Sequence, residues 1–544
     1  MSTFDYTYDV VVVGSGAAGL ATALGAADSG LTVLVVESTD KWGGNSAMSG
    51  GGLWLPNNPL LRRDGVQDSR EEALAYLEAT VGDTGRSTSR ARKEAFVDGV
   101  DDVVQTTEKY GVAWARAADY PDYYPELPGG KIGRGIEVKP LDSKVLGAWY
   151  ESLRVLMPLP AMTDDVWEVQ RAFSSVAGVK RVARIGLRAA GGMVTRKRLV
   201  GIGAGLATAL HSVVIGTLGA ELWLNSPLTE LIVENGEVVG ARVTKDGRPV
   251  TIGANRGVML AGGGFDYNRE WRQRYHGIDG APSGSPGSLG GPIAAAEQAG
   301  AALELMDDAW WGASIAPLHG EPAAFIVGER ALPYSLIVDG RGTRFANEAE
   351  SYVDLGHHML AHDKDGTYWL IGDRRWTRRY LRTFALAAGK TAELQRAGIV
   401  ARADTLARLA ERIGADPATL TATVDRFNGF ARAGVDGDFG RGNSAYDRYY
   451  GDPSVRPNPN LGPLEKGPFE AWRIVIGDLG TKGGVVTDEH ARALREDGSV
   501  IEGLYSAGNN SASVMGRTYP GPGSTIGPAT VFGLIAGRHM AAKA

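Results

Sequence analysis

Near the amino end of the chain, residues 8–13 form a short apolar, β-branched run suited to a strand buried on both faces. Gly14-Ser15-Gly16-Ala17-Ala18-Gly19 follows without a gap. This order predicts a strand, a tight turn, a helix over 17–29 and a second strand over 31–36 ending in Glu37. Gly14 would permit the turn, Gly16 would let a pyrophosphate approach the backbone, and Gly19 would let the helix lie against the sheet. The phosphates would meet the positive end of that helix. Glu37 can accept hydrogen bonds from both ribose hydroxyls of an adenosine and disfavours a 2′-phosphate. A dinucleotide site contacting Gly14, Gly16, Ala17, Ala18, Gly19 and Glu37 is therefore expected.

The loop at 41–52, KWGGNSAMSGGG, bears on which dinucleotide binds. Its glycines and small hydroxyls suit a backbone that must hug a flat ring and two phosphates. It resembles the loop with which fumarate reductase-like flavoproteins wrap FAD. The resemblance implies contacts from Gly43, Gly44, Asn45, Ser46, Ser49, Gly50 and Gly51. The chain has no Cys, which excludes disulfides, thiolate nucleophiles, iron–sulfur clusters and a flavin tethered through sulfur. With no histidine between 43 and 52 either, FAD is expected to bind noncovalently.

The 544 residues allow more than one domain. Residues 221–264 read as a meander of strands over 222–225, 228–233, 238–244, 250–252 and 257–261, with Asn235-Gly236 and Asp246-Gly247 turns. Its end, GVMLAGGGF at 257–265, resembles the return strand of two-dinucleotide-binding-domain flavoproteins. Mixed short strands and helices follow, the helices including 403–413 and 417–433. The chain returns with GLYSAG at 503–508 and a helix over about 528–541, placing Gly508, Ser524 and Ile526 at the cofactor. The expected fold is α/β: a discontinuous Rossmann-like FAD domain, 1–308 and 478–544, with an inserted α+β substrate domain, 309–477.

Lys+Arg of 57 against Asp+Glu of 63 gives a net charge of −6, which argues against nucleic acid as a partner. The amino end has no basic, apolar leader, so a cytoplasmic location is expected. The apolar run over 10–27 is better explained by its phosphate-loop glycines than by a membrane span. No metal is expected, because His357, His358 and His362 lack acidic or Cys partners at metal spacing. No G-x-S-x-G elbow supports a hydrolase.

Three further segments carry a more specific resemblance: 120–130 (YPDYYPELPGG), 344–353 (RFANEAESYV) and 519–524 (YPGPGS). With them the whole chain resembles the 3-ketosteroid Δ1-dehydrogenases, a branch of the fumarate reductase-like FAD family. The resemblance implies a steroid pocket in which Tyr519 OH and Gly523 N–H polarise the C3 ketone and Tyr352 takes the C2 proton. Tyr123 would hydrogen-bond Tyr352, with Tyr124 as the adjacent alternative, and flavin N5 would take the C1 hydride. An unidentified acceptor must then reoxidise the flavin. The chemistry agrees: desaturation beside a ketone needs a base, donors for the developing enolate and a hydride acceptor. A dehydrogenase acting at the 4,5 bond would use the same parts. A fumarate reductase-like enzyme would need cations for two carboxylates, where this chain places the neutral Tyr519. A non-catalytic flavoprotein would not need the tyrosines.

Residues 169–220 contain no Asp or Glu. Lys180, Arg184 and Arg188 recur at i, i+4 and i+8 beside Val179, Val182 and Ile185, as on interfacial helices. This suggests peripheral contact with a membrane, weighed against a solvated face covering the pocket.

Overall fold

The computed structural model describes residues 4–155, 159–318, 321–382, 384 and 391–543. Among them, the first sheet has at its centre five parallel strands in the order Glu221–Trp223, Val33–Val36, Tyr6–Val13, Arg248–Leu260 and Val500–Ser506. Val10 to Val13 are buried, because sheet neighbours flank the strand and its two faces are covered. Helix Ala17–Asp28 packs along the carboxy-terminal helix Ile526–Ala542 through small residues. The latter is buried along most of its length, which accounts for its apolar sequence.

The meander differs from expectation at both ends. Glu221–Trp223 joins the parallel sheet beside Val33–Val36, with Leu34 opposite Glu221. The two short strands expected over 250–261 are one strand, Arg248–Leu260, antiparallel to Glu237–Lys245 in its first half and parallel to Tyr6–Val13 along most of its length. A register shift between Tyr8 and Val10 absorbs the change of partner, as a bulge does.

The second sheet is organised around the long strand Phe469–Thr481, flanked by Ala309–Ile315 and Tyr368–Gly372. Ala281–Pro282 and Val400–Ala403 pair with its two ends. Residues 400–403 are thus strand, and the helix expected from 403 begins at Leu406. Thr405 sets that start, its Oγ1 accepting from Arg408 N at 3.3 Å.

Candidate active site

Three loops leave the same edge of the parallel sheet. Gly14 N donates to Val36 O, Ala261 N to Val13 O and Ala507 N to Leu260 O, at 2.8, 2.8 and 3.1 Å. Gly14 has φ +107°, and a Cβ there would lie 2.3 Å from the Ala261 carbonyl oxygen, so only glycine fits. Ser15 Oγ donates to Glu37 at 2.6 Å and accepts from Gly43 N at 3.0 Å, tying the phosphate turn, the second strand and the 41–52 loop together. Glu37 also accepts from Thr39 N at 3.1 Å and Thr39 Oγ1 at 3.0 Å. Gly16 brings no side-chain cap to helix Ala17–Asp28, and Ser46 Oγ accepts from Ala17 N at 3.0 Å. Ala18 and Gly19 lie in its first turn.

Within the loop, Gly44–Met48 is a helical turn. Asn45 Oδ1 accepts from Ser285 N at 2.5 Å and Ser49 Oγ from Gly51 N at 3.0 Å. Gly51 lies against the Ile202–Gly203 backbone, whereas the Cβ position of Gly50 opens onto free space. Gly508 comes within van der Waals reach of Ala18. Ser524 Oγ bonds both the Gly521 amide, at 2.8 Å, and its carbonyl, at 2.7 Å, just ahead of Ile526 at the helix start. An acid at a strand end, a helix amino terminus that begins at a glycine and a glycine loop with open space suit a dinucleotide with a flat ring. Sequence reading missed the 199–211 segment that backs this loop and Arg154, whose Nη2 donates to Thr39 Oγ1 at 2.7 Å.

The structure brings Tyr123, Tyr352 and Tyr519 together from three remote segments, all buried. Ring centroids lie 5.6 Å apart for Tyr123–Tyr352 and 5.0 Å for both Tyr123–Tyr519 and Tyr352–Tyr519. Trp310 meets Tyr519 edge-on at 5.3 Å, and Phe325 meets Tyr352 likewise at 5.3 Å. Tyr124 points elsewhere: its hydroxyl donates to Asp354 Oδ1 at 3.0 Å. Tyr123 and Tyr352 meet ring to edge, with no hydrogen bond between their hydroxyls among the described residues, and the Tyr123 hydroxyl lies 3.4 Å from that of Tyr120. Tyr120 in turn bonds Tyr450 and stacks on Tyr449 at 4.5 Å, while Tyr446 lies 4.3 Å from Tyr123. The run at 445–450, AYDRYY, puts Tyr446, Tyr449 and Tyr450 at i, i+3 and i+4, a helix-face signal that sequence reading passed over.

Burial pushes Tyr352 and Tyr123 well above the ordinary phenol range, and neighbouring phenols push further. Burial also raises Tyr519, but hydrogen bonds from the Tyr352 and Thr525 hydroxyls and from the Gly523 and Thr525 amides oppose the rise. The Gly523 amide thus lies beside the Tyr519 hydroxyl, four residues further along the chain. Gly523, at φ +96°, packs so closely on Gly52 and Trp54 that a Cβ would lie 2.2 Å from the Gly52 oxygen. The three histidines stand apart, each with an acid: His357 with Asp308, His358 with Glu350 just ahead of its own helix, and His362 with Asp339, at 2.8, 2.7 and 3.1 Å.

The segments are held in place by buried polar contacts. Pro520 O accepts from Tyr123 N at 2.8 Å and from Tyr76 OH at 2.6 Å. Asp122, between the two pocket tyrosines, accepts from Trp54 Nε1 at 2.7 Å and pairs with Arg134 at 2.9 Å. Arg134 also grips Asp68 at 2.8 Å, and all three charged groups are buried. Removing one partner leaves buried charge uncompensated, so Arg134→Met should cost about 3–5 kcal/mol. A urea-melt midpoint close to wild type would contradict this.

These loops and glycines define an FAD-binding flavoprotein, and the family model for the FAD binding domain matches residues 9–526. The chain is 45% identical to 3-oxosteroid 1-dehydrogenase of Mycolicibacterium smegmatis, over 99% of this chain and 98% of that protein. It is 44% identical to the Mycobacterium tuberculosis protein of the same name, over 99% of each chain. The crystal structure of 3-ketosteroid Δ1-dehydrogenase from Sterolibacterium denitrificans, in complex with 1,4-androstadiene-3,17-dione, superposes with a TM-score of 0.90. The two share 37% identity, over 98% of this chain and 99% of that one. The chain belongs to the 3-oxosteroid 1-dehydrogenase family of FAD-dependent oxidoreductases.

Proposed function

We propose that this protein introduces a double bond between C1 and C2 of 3-ketosteroids. The observation that supports the reading is the convergence of Tyr123, Tyr352 and Tyr519 in one buried site, with Gly523 four residues beyond Tyr519. Tyr519 OH and Gly523 N–H donate to the C3 ketone oxygen and stabilise the negative charge that grows there as the C2 proton leaves. Tyr352 takes that proton, and Tyr123 fixes the Tyr352 ring from its edge. Bound FAD, held noncovalently in a chain without Cys, supplies the acceptor for the C1 hydride. Anaerobic mixing with 3-ketosteroids saturated at C1–C2 should bleach the flavin and yield the 1,2-unsaturated product. Bleaching by none of a panel of such ketones, or a 4,5-unsaturated product, would refute the reading.

We also propose that the substrate is reached from a membrane surface. Among the described residues no helix is long and apolar enough to cross a membrane. Helix Val176–Val194 nevertheless carries exposed Val176 and Leu187, at 72% and 73%, next to Phe173 at 69%. Lys180 and Arg184 are exposed on the same helix. Arg188, expected on that basic face, instead pairs with buried Asp165 at 2.5 Å. The helix packs on Thr163–Gln170, whose Trp167 meets Tyr450 of the tyrosine cluster at 4.9 Å. At low salt the protein should float with anionic liposomes and not with neutral ones, and protein left at the bottom of both gradients would dispose of the idea.

A further inference from the structure

A fully buried lysine stands behind the tyrosine assigned to the ketone. The Lys482 side chain has no exposed surface, and its Nζ pairs with Asp308 Oδ2 at 3.2 Å. The same ammonium lies 4.8 Å from the centre of the Trp310 ring. Trp310 is itself buried and meets Tyr519 at 5.3 Å, ring to ring and nearly perpendicular. Its Nε1 donates at 3.3 Å to Asn509 Oδ1, on the turn Gly508–Asn510 of the cofactor cradle. The indole is thus held on its face by a cation and at its nitrogen by an amide.

The backbone is shaped to bring these groups together. Ala309 faces Thr481 and Trp311 faces Asp478, so opposite Trp310 the strand Phe469–Thr481 carries one residue more than its partner. Such a bulge re-aims side chains and is common beside active sites. Here it ends directly ahead of Lys482. A Cβ at Gly480, within the bulge, would lie 2.5 Å from Asn509 Nδ2, so a larger residue would push Asn509 off the indole nitrogen.

The acid of the pair leads to the second pocket tyrosine. Asp308 Oδ1 meets His357 Nε2 at 2.8 Å. His357 lies on helix Tyr352–Asp363, which packs on the strand Ala309–Ile315 that carries Trp310. A buried ion pair adds little to stability over an apolar pair of the same size. Its place here, between the neighbour of Tyr519 and the helix that opens with Tyr352, points to position instead.

We propose that Lys482 and Trp310 are positioning residues for the reaction: the ammonium fixes the indole, the indole fixes the Tyr519 ring, and the Asp308–His357 contact keeps the Tyr352 helix in register with both. The inference rests on the assignment of Tyr519 as donor to the ketone.

The test is a double-mutant cycle on solvent exchange of C2 deuterium, with kcat and KM, in FAD-loaded enzyme. Trp310→Leu removes the ring beside Tyr519 and should slow exchange about tenfold or more, since misplacing a group by about 1 Å can cost about 10²-fold. The loss should fall on kcat, with KM little changed. In the Tyr519→Phe background no hydroxyl remains to be placed, and the same substitution should cost less than about threefold. Trp310→Phe keeps a ring against Tyr519 and should recover most of the loss. Lys482→Met should follow Trp310→Leu, and Lys482→Arg should stay near wild type. Equal losses from Trp310→Leu in the two backgrounds, or no loss in either, overturn the proposal. Should that variant fail to fold, the cycle run with Asn509→Ala, which frees the indole nitrogen, decides by the same two outcomes. Tyr519→Phe alone separates the two claims: exchange and turnover at the wild-type rate there refute the donor assignment itself.

Discussion

Tyr352→Phe is expected to abolish exchange of C2 deuterium with solvent and to lower turnover by about 10²–10⁴, the range in which a positioned general base contributes. The substitution keeps the ring, and with it the edge contacts to Tyr123 at 5.6 Å and Phe325 at 5.3 Å. Packing and steroid affinity should therefore change little, and the loss should fall on kcat. The hydroxyl is fully enclosed and meets only other phenols, chiefly Tyr519. Among the described residues, no carboxylate or imidazole is hydrogen-bonded to it to take over the proton. If Tyr352→Phe still exchanges C2 deuterium at the wild-type rate, the base lies elsewhere and Tyr123 is the next residue to test. Tyr124 is set aside by geometry, since its hydroxyl is committed to Asp354.

The two halves of this site were not equally legible in the sequence. The cofactor cradle is written locally: a strand, a turn needing positive φ at Gly14 and an acid at the next strand end follow one another within the chain. Local backbone rules suffice there. The tyrosine site is assembled from 120–124, 352 and 519, and only resemblance to a family joined those segments in advance. Pairwise detail then escaped. Which of Tyr123 and Tyr124 faces the pocket depends on Pro520 O holding the Tyr123 amide, and on Asp354 drawing off the Tyr124 hydroxyl. Neither contact leaves a trace in spacing. The change of partner along Arg248–Leu260 was hidden because the polar break at Asn255-Arg256 reads as a strand end, whereas the strand runs through it.

Tyr519→Phe should show a different signature from Tyr352→Phe. In the proposed reaction two donors serve the C3 ketone oxygen, the Tyr519 hydroxyl and the Gly523 amide, and the substitution removes one of them. Loss of one oxyanion-type donor typically costs about 10²–10³ in turnover. The amide remains, because Gly523 is fixed by its own backbone: its carbonyl accepts from Trp54 N at 3.3 Å and from Gly527 N at 2.8 Å. C2 exchange should therefore slow without vanishing, since the base is intact and the enolate retains half of its support. Its pH limb should persist, because that limb reports ionisation of Tyr352 and not of the donor. Exchange and turnover falling together by the same factor would confirm that both pass through one enolate-like transition state. Exchange at the wild-type rate with turnover reduced would instead place Tyr519 after proton removal, and the ketone oxygen would then need a different donor.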